Sequence, residues 1–265
     1  MTLIITAANK NCLFQTSDMR LTDQNGKLHD DFSVKQTQVR GNHFCFLTSY
    51  TGVAYIKNVK VHDWLTNELS NYKIGNKGPE DIVTFLREKL NETYTHKGNL
   101  ILTGIGWSDY EDIFQRFYFS ISNVDSNCFV LDKKNLEDSI FLKCDGYLPA
   151  TQEDYFNKRS KKVRKFMKRE KKGDRKLITD KLVDLIRIGA NHKLHGKFIG
   201  KNVTGIYVGT YDFSPIARYY SAEKTIVYLP NSVSNEMAVK GIKITQSDQR
   251  DSFFKINPKD NGYRK

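Results

Sequence analysis

Short apolar runs separated by polar turns fill the first fifty residues, and their lengths predict strands. Thr2 to Ala8 and Cys12 to Ser17 are joined by Asn9-Lys10-Asn11, a natural hairpin connection. Asp23-Gln24-Asn25-Gly26 reads as a turn. Phe32 to Val39 and His43 to Ser49, separated by Arg40-Gly41-Asn42, continue an antiparallel meander. After Tyr50-Thr51-Gly52 the period changes. Ile56, Val59, Val61, Trp64, Leu65 and Leu69 predict a helix of about four turns. Gly78-Pro79 opens a second helix, because proline suits the first helical turn, and its stripe is Ile82, Val83, Phe85, Leu86 and Leu90.

Strands return at Asn99 to Ile105, Phe114 to Ser122, Cys128 to Leu131 and Ile140 to Lys143. A second helical pair follows, from Glu153 to Lys171 and from Arg175 to Ala190, divided at Gly173-Asp174. Gly205 to Thr210, Thr225 to Leu229 and Val239 to Ile244 are strand-like. From Gln246 the chain is polar and reads as a tail, so the expectation is one domain over 1–245 and a tail over 246–265. Strands, two helices, strands, two helices, strands is an α+β order. Two antiparallel sheets face to face, each with a helix pair outside, would bury every stripe: a four-layer α-β-β-α sandwich.

With 39% apolar and 27% charged residues, the chain falls among ordinary globular proteins rather than disordered or membrane-embedded ones. No apolar run approaches the roughly 18 residues that span a bilayer, and the N-terminus lacks a secretory pattern. The expectation is a cytoplasmic protein with no membrane contact. Cys12, Cys45, Cys128 and Cys144 are scattered, and the first three lie in apolar runs that predict burial. The net charge of +12 is local: Asn157 to Lys176 holds twelve Lys/Arg against Glu170 and Asp174. Val163, Phe166 and Met167 give that segment an apolar stripe, so it predicts an outer helix with a basic face carrying Lys161, Lys162, Arg164, Lys165, Lys168 and Arg169.

Candidate chemistry centres on Thr2. A threonine hydroxyl is a poor nucleophile near neutral pH. It becomes useful with a base to take its proton, a cation to favour developing negative charge, and N–H groups for the oxyanion. Removal of Met1 would give Thr2 a free α-amine with a pKa of about 7.7–8.0, well placed to act as that base. Asp18 and Arg20 end the second strand, beside the start of the first if the hairpin forms. Lys35 lies in the third strand segment, and Gly52 between strand and helix leaves a backbone N–H unobstructed.

The stretches TLIITAANKNCLFQTSDMRLT, DDFSVKQ and SYTGVAYIKNVKVHDWL resemble the N-terminal half of proteasome β-type subunits, and more closely uncharacterised bacterial proteasome-like N-terminal-nucleophile hydrolases. The resemblance covers about the first 70 residues. It implies Thr2 as nucleophile and base, Asp18 and Lys35 as its charged partners, the Gly52 N–H as oxyanion donor, and Arg20 as a structural residue. It implies a threonine-type peptidase or amidase that needs no cofactor or metal, acts on peptide or small amide substrates, and assembles into a homo-oligomer such as a ring. An ATPase partner is left open. Where the family carries a serine in a second-half turn, this chain reads CDGYLPA, with Gly146.

Two other readings compete with hydrolysis. One is a catalytically silent proteasome-like module that assembles or scaffolds. The other is a nucleic-acid or phosphate-binding protein that uses the basic helix over 157–176. His192 and His195 form a pair without a third ligand, which fits a helix end better than a metal site.

Overall fold

The hairpin forms as the pattern predicts, and Asn9 closes it. Its side-chain oxygen accepts the N–H groups of Asn11 (3.0 Å) and Cys12 (2.8 Å), so the turn is held by its own first residue. The computed structural model describes residues 2–255 apart from 23–26, 76, 96–97, 111–112, 138–139, 147–149, 170–173, 192–195, 210–215, 221–225, 229–230, 235–236, 240–242 and 246–250. For 150–155, 218–220, 226–228, 237–239, 243–245 and 251–255 the description is of backbone alone.

In chain order the first elements are β1 (Leu3–Asn9), β2 (Cys12–Asp18), β3 (Leu21–Thr22), β4 (Leu28–Asp30), β5 (Gln36–Arg40) and β6 (Phe44–Gly52). β7 (Tyr55–Ile56) and β8 (Val59–Lys60) lead into α1 (Val61–Tyr72) and α2 (Pro79–Thr93). Then come β9 (Leu100–Tyr110), β10 (Ile113–Ser122), β11 (Val130–Leu136), β12 (Phe141–Gly146), α3 (Ala150–Lys168) and α4 (Arg175–Ala190). The last strands are β13 (Val203–Gly209), β14 (Ile216–Tyr220), β15 (Ile226–Tyr228), β16 (Asn231–Ser234), β17 (Met237–Val239), β18 (Lys243–Thr245) and β19 (Asp251–Lys255). The chain is therefore α+β, mostly strands, with four helices among the described residues.

These elements divide into two compact units. The first comprises Met1–Val34, Asp138–Leu229 and Ile242–Lys265. Its six-stranded sheet runs β12-β1-β2-β13-β14-β19, antiparallel throughout. β1 and β2 are interior strands, and every residue in them is buried. Leu3, Ile5, Ala7 and Phe14 share one core with Ile178, Leu182, Val183 and Ile186 of α4 and Phe156, Val163 and Met167 of α3. Alternate strand positions thus meet the helical stripes, as the two periods require. Each of these large apolar side chains contributes about 1.5–3 kcal/mol when fully buried, which fixes α3 by its apolar stripe whatever its outer face carries. β19 falls within the polar stretch read as a tail and pairs with β14 at the sheet edge.

The second unit comprises Lys35–Glu137 and Pro230–Gly241. Its seven-stranded sheet runs β11-β10-β9-β6-β5-β16-β17, antiparallel except where β16 lies parallel to β5. Phe44, Phe46, Leu102, Phe117 and Phe119 pack with Trp64, Leu65 and Leu69 of α1 and Ile82, Leu86 and Leu90 of α2. Phe46 meets Phe119 edge-on, with centroids 5.5 Å apart. Gly104 and Gly106 leave room for these rings, since a Cβ would stand 2.3 Å from the Phe119 ring at Gly104 and 2.4 Å from the Phe46 Cβ at Gly106. α2 starts at Pro79, and the Asp81 carboxylate reaches back to accept the Gly78 N–H at 3.0 Å.

Several boundaries depart from the pattern. The stripe from Ile56 to Leu69 splits, because Ile56 and Val59 belong to the β7–β8 hairpin and α1 starts at Val61. Lys57 and Asn58 have φ of 46° and 66°, the left-handed pair of a type I′ turn, and this stops a helix from beginning there. β5 starts at Gln36 rather than Phe32. β11 extends through Asp132-Lys133-Lys134, because an edge strand tolerates charge along its exposed side. Cys12 and Cys45 are buried as expected, but Cys128 is exposed in the approach to β11; all four thiols are free.

Candidate active site

Strand register carries Leu3, the residue after Thr2, to Asp18. Ile4 lies opposite Ser17 in the β1–β2 pair, so Leu3 arrives beside Asp18 and its N–H donates to Asp18 Oδ1 at 2.8 Å. On its other side β1 pairs with β12, Leu3 standing opposite Gly146. Thr2, just ahead of β1, is 3% exposed, and Asp18 is wholly buried.

Asp18 is held by backbone on both oxygens. Besides Leu3, its Oδ2 accepts the N–H groups of Arg20 (3.0 Å) and Gly200 (3.1 Å). Charge-assisted bonds of this kind contribute about 1.5–3 kcal/mol each, and they offset the cost of removing a carboxylate from water. The same turn is tied further by Met19, whose N–H donates to the Asn202 carbonyl and whose carbonyl accepts from Ser33.

Arg20 braces this turn from outside. Its guanidinium grips Asp31 with two bonds (2.6 and 3.0 Å), and Nη1 donates to the Gly196 carbonyl at 2.9 Å. The hydrogen bond to Asp31 raises the Arg20 pKa above its ordinary value, against the opposing effect of burial. Arg20 thus joins the segments around Asp18, Asp31 and Gly196. Gly200, Asp31 and Asn202 are residues that motif reading missed. Asp31 lies within the DDFSVKQ stretch, whereas a glycine N–H leaves no side-chain signature.

Lys35 and Gly52 belong to the second unit. Lys35 is wholly buried directly ahead of β5, rather than inside a strand. Gly52 is the last residue of β6. Gln36 stands opposite Ser49, so Lys35 and Gly52 leave the β5–β6 pair at the same end. Gly52 has φ of 103°, and a Cβ on it would stand 2.0 Å from the Asn99 carbonyl oxygen. The position demands glycine twice over, by backbone conformation and by space. The next N–H, of Val53, donates to that same carbonyl at 3.0 Å.

Among the remaining candidates, Lys161, Lys162, Arg164, Lys165, Lys168 and Arg169 are all exposed on α3 or just beyond it, and Val163 and Met167 are buried beneath. Phe166 of the expected stripe is half-buried. His192 and His195 lie outside the described residues. Among the described residues no group of three or more His, Cys, Asp or Glu is placed to hold a metal, and no helix is long and apolar enough to cross a membrane.

No family model matches this chain, and no curated protein does. Solved structures do match. Anbu from Hyphomicrobium sp. strain MC1, solved as a mutant, superposes with a TM-score of 0.53 at 10% identity, covering 94% of this chain and 89% of that one. Anbu from Yersinia bercovieri, described as an ancestral β-subunit, superposes with a TM-score of 0.51 at 11% identity, covering 77% and 80%. The fold of this chain is similar to that of a proteasome-like β-subunit.

Proposed function

We propose that the protein is an N-terminal threonine hydrolase that cleaves peptide or amide bonds after removal of Met1. The observation that carries this reading is the fixing of the start of β1. The residue following Thr2 is bonded through its N–H to a buried carboxylate, and the fold is one in which an Anbu β-subunit is a structural neighbour. In this reading the Thr2 α-amine takes the Oγ proton as Oγ attacks the substrate carbonyl carbon. The tetrahedral oxyanion forms against the Gly52 N–H, and the buried ammonium of Lys35 favours the developing charge. The amine then passes its proton to the leaving nitrogen, the C–N bond breaks, and a Thr2 ester remains. Water, deprotonated by the same amine, hydrolyses that ester and regenerates the hydroxyl. Asp18 acts by positioning, and Arg20 by bracing the turn. The four-layer α-β-β-α arrangement and assembly into a closed homo-oligomer form part of the same proposal.

The test is an intact mass of the native-start protein before and after incubation with a peptide epoxyketone, a reagent that forms its ring adduct only with a hydroxyl and a free α-amine together. A species lacking Met1 that gains one adduct, with Thr2→Ala gaining none, is the expected result. A protein that keeps Met1 quantitatively, or an adduct that survives Thr2→Ala, removes Thr2 from the chemistry.

A further inference from the structure

The basic run on α3 plays no part in the proposed hydrolysis. We propose that the outer face of α3 binds double-helical nucleic acid through its phosphodiester backbone, without reading bases.

At 3.6 residues per turn, Lys158, Lys161, Lys162, Arg164, Lys165, Lys168 and Arg169 fall within an arc of about 160°, opposite Phe156, Val163 and Met167. All seven are exposed, and the three apolar residues are buried in the core of the first unit. The seven cations span about 16 Å of helix axis, a length along which duplex DNA carries about ten phosphate charges. Among the described residues, Lys161, Lys162, Lys165 and Lys168 make no ion pair with a carboxylate. Arg164 donates sideways to the Leu142 carbonyl at 2.9 Å, which fixes its guanidinium at the border with β12.

What the face lacks identifies the partner. A protein interface has an apolar centre with aromatic anchors and is depleted in lysine; this face is lysine-rich and has no exposed apolar side chain between Lys158 and Arg169. A helix that lies in a lipid surface needs a free apolar face, and here that stripe is spent on the core. Binders of single strands stack bases on aromatic rings. Of the described aromatic side chains on α3, Phe156 is buried and Phe166 is half-buried, with the Lys181 ammonium 5.1 Å from its centroid. A dense row of cations without an apolar centre or a stacking platform matches a regular polyphosphate.

Fluorescence anisotropy with a short labelled DNA duplex tests this across a salt series. If four of the cations contact phosphates, the logarithmic salt slope is about −3.6 and affinity falls about 150-fold between 50 and 200 mM salt. The triple variant Lys161→Gln, Lys165→Gln, Lys168→Gln removes three exposed charges and should lower the slope by about 2.7 without moving the unfolding midpoint. A single strand of the same sequence should bind more weakly. Absence of binding at about 50 mM salt, a slope the triple variant leaves unchanged, tighter binding of the single strand, or equal competition by polyglutamate would each overturn the proposal. The last outcome would assign the face to an acidic protein surface. None of these outcomes depends on Thr2.

Discussion

Asp18→Asn changes one carboxylate oxygen into an NH2 group and leaves the shape of the side chain intact. Three backbone N–H groups point at that carboxylate, from Leu3 at 2.8 Å, Arg20 at 3.0 Å and Gly200 at 3.1 Å. An amide offers one accepting oxygen, so its better orientation serves Arg20 and Gly200 and turns its NH2 group toward the Leu3 N–H. An unmet buried donor costs about 1–3 kcal/mol, and each of the two surviving bonds loses about 1 kcal/mol as it passes from charge-assisted to neutral. The expected destabilisation is therefore about 3–5 kcal/mol, read from urea unfolding at unchanged m-value. The loss should be sharpest at the residue beside Thr2, so the Leu3 amide should exchange with solvent faster relative to the rest of β1. A stability change below about 1 kcal/mol, or a Leu3 amide as protected as before, would show that these three bonds do not hold the turn. If Thr2 is the nucleophile, displacing its neighbour should also slow epoxyketone adduct formation by about 100-fold.

Gly52→Ala should cost at least about 2 kcal/mol, because it combines a left-handed backbone with a Cβ placed against the Asn99 carbonyl; unfolding within about 0.5 kcal/mol of the parent would contradict that geometry. Asn58→Gly, at the second left-handed position of the β7–β8 turn, should stabilise the protein by about 0.5–1 kcal/mol, whereas destabilisation would argue for a different turn. Thiol labelling at neutral pH should modify Cys128 first, since it is exposed, while Cys45 stays protected, buried and pushed up to about 12; equal labelling rates would refute this. Because an unfolded thiol titrates near 8.5, the unfolded chain loses that proton before the folded one does. Cys45 burial therefore stabilises fully below about pH 8.5, and its contribution falls as pH rises toward 12.

Elements with their own local cause were legible in the sequence. Asn9 marks the β1–β2 turn, Pro79 marks the start of α2, and the Ile178 to Ile186 stripe marks α4 within its observed bounds. The meeting of Leu3 with Asp18 followed from hairpin register, which a two-residue connection nearly determines. The splitting of α1 did not follow, because Ile56 and Val59 sit three apart and satisfy a helical stripe as well as a tight hairpin. The apolar run that predicts β11 stops at Leu131, while the strand continues to Leu136, since an edge strand need not alternate. β19 was hidden by its polar surroundings. Arg20, which the family resemblance implies is structural, clamps Asp31, but the Gly200 N–H and the Gly196 and Asn202 carbonyls are backbone groups contributed from far along the chain. Nothing in a sequence marks an N–H as pointing at a particular carboxylate.

The sheet order of the first unit also determines when the surroundings of Thr2 can be completed. β1 and β2 are synthesised first, yet their outer edges are paired by β12 and β13, which come more than a hundred residues later. The Gly200 N–H that completes the grip on Asp18 follows it by 182 residues. At roughly 5–20 residues per second, that is an interval of about 10–40 s during translation. Until β12 is made, both edges of the first hairpin are open to mispairing, and the β2 edge stays open until β13 follows. Thr2 is thus made well before the strands and the Gly200 N–H that complete its surroundings. A nascent fragment ending before β13 carries the candidate nucleophile without the frame that positions it.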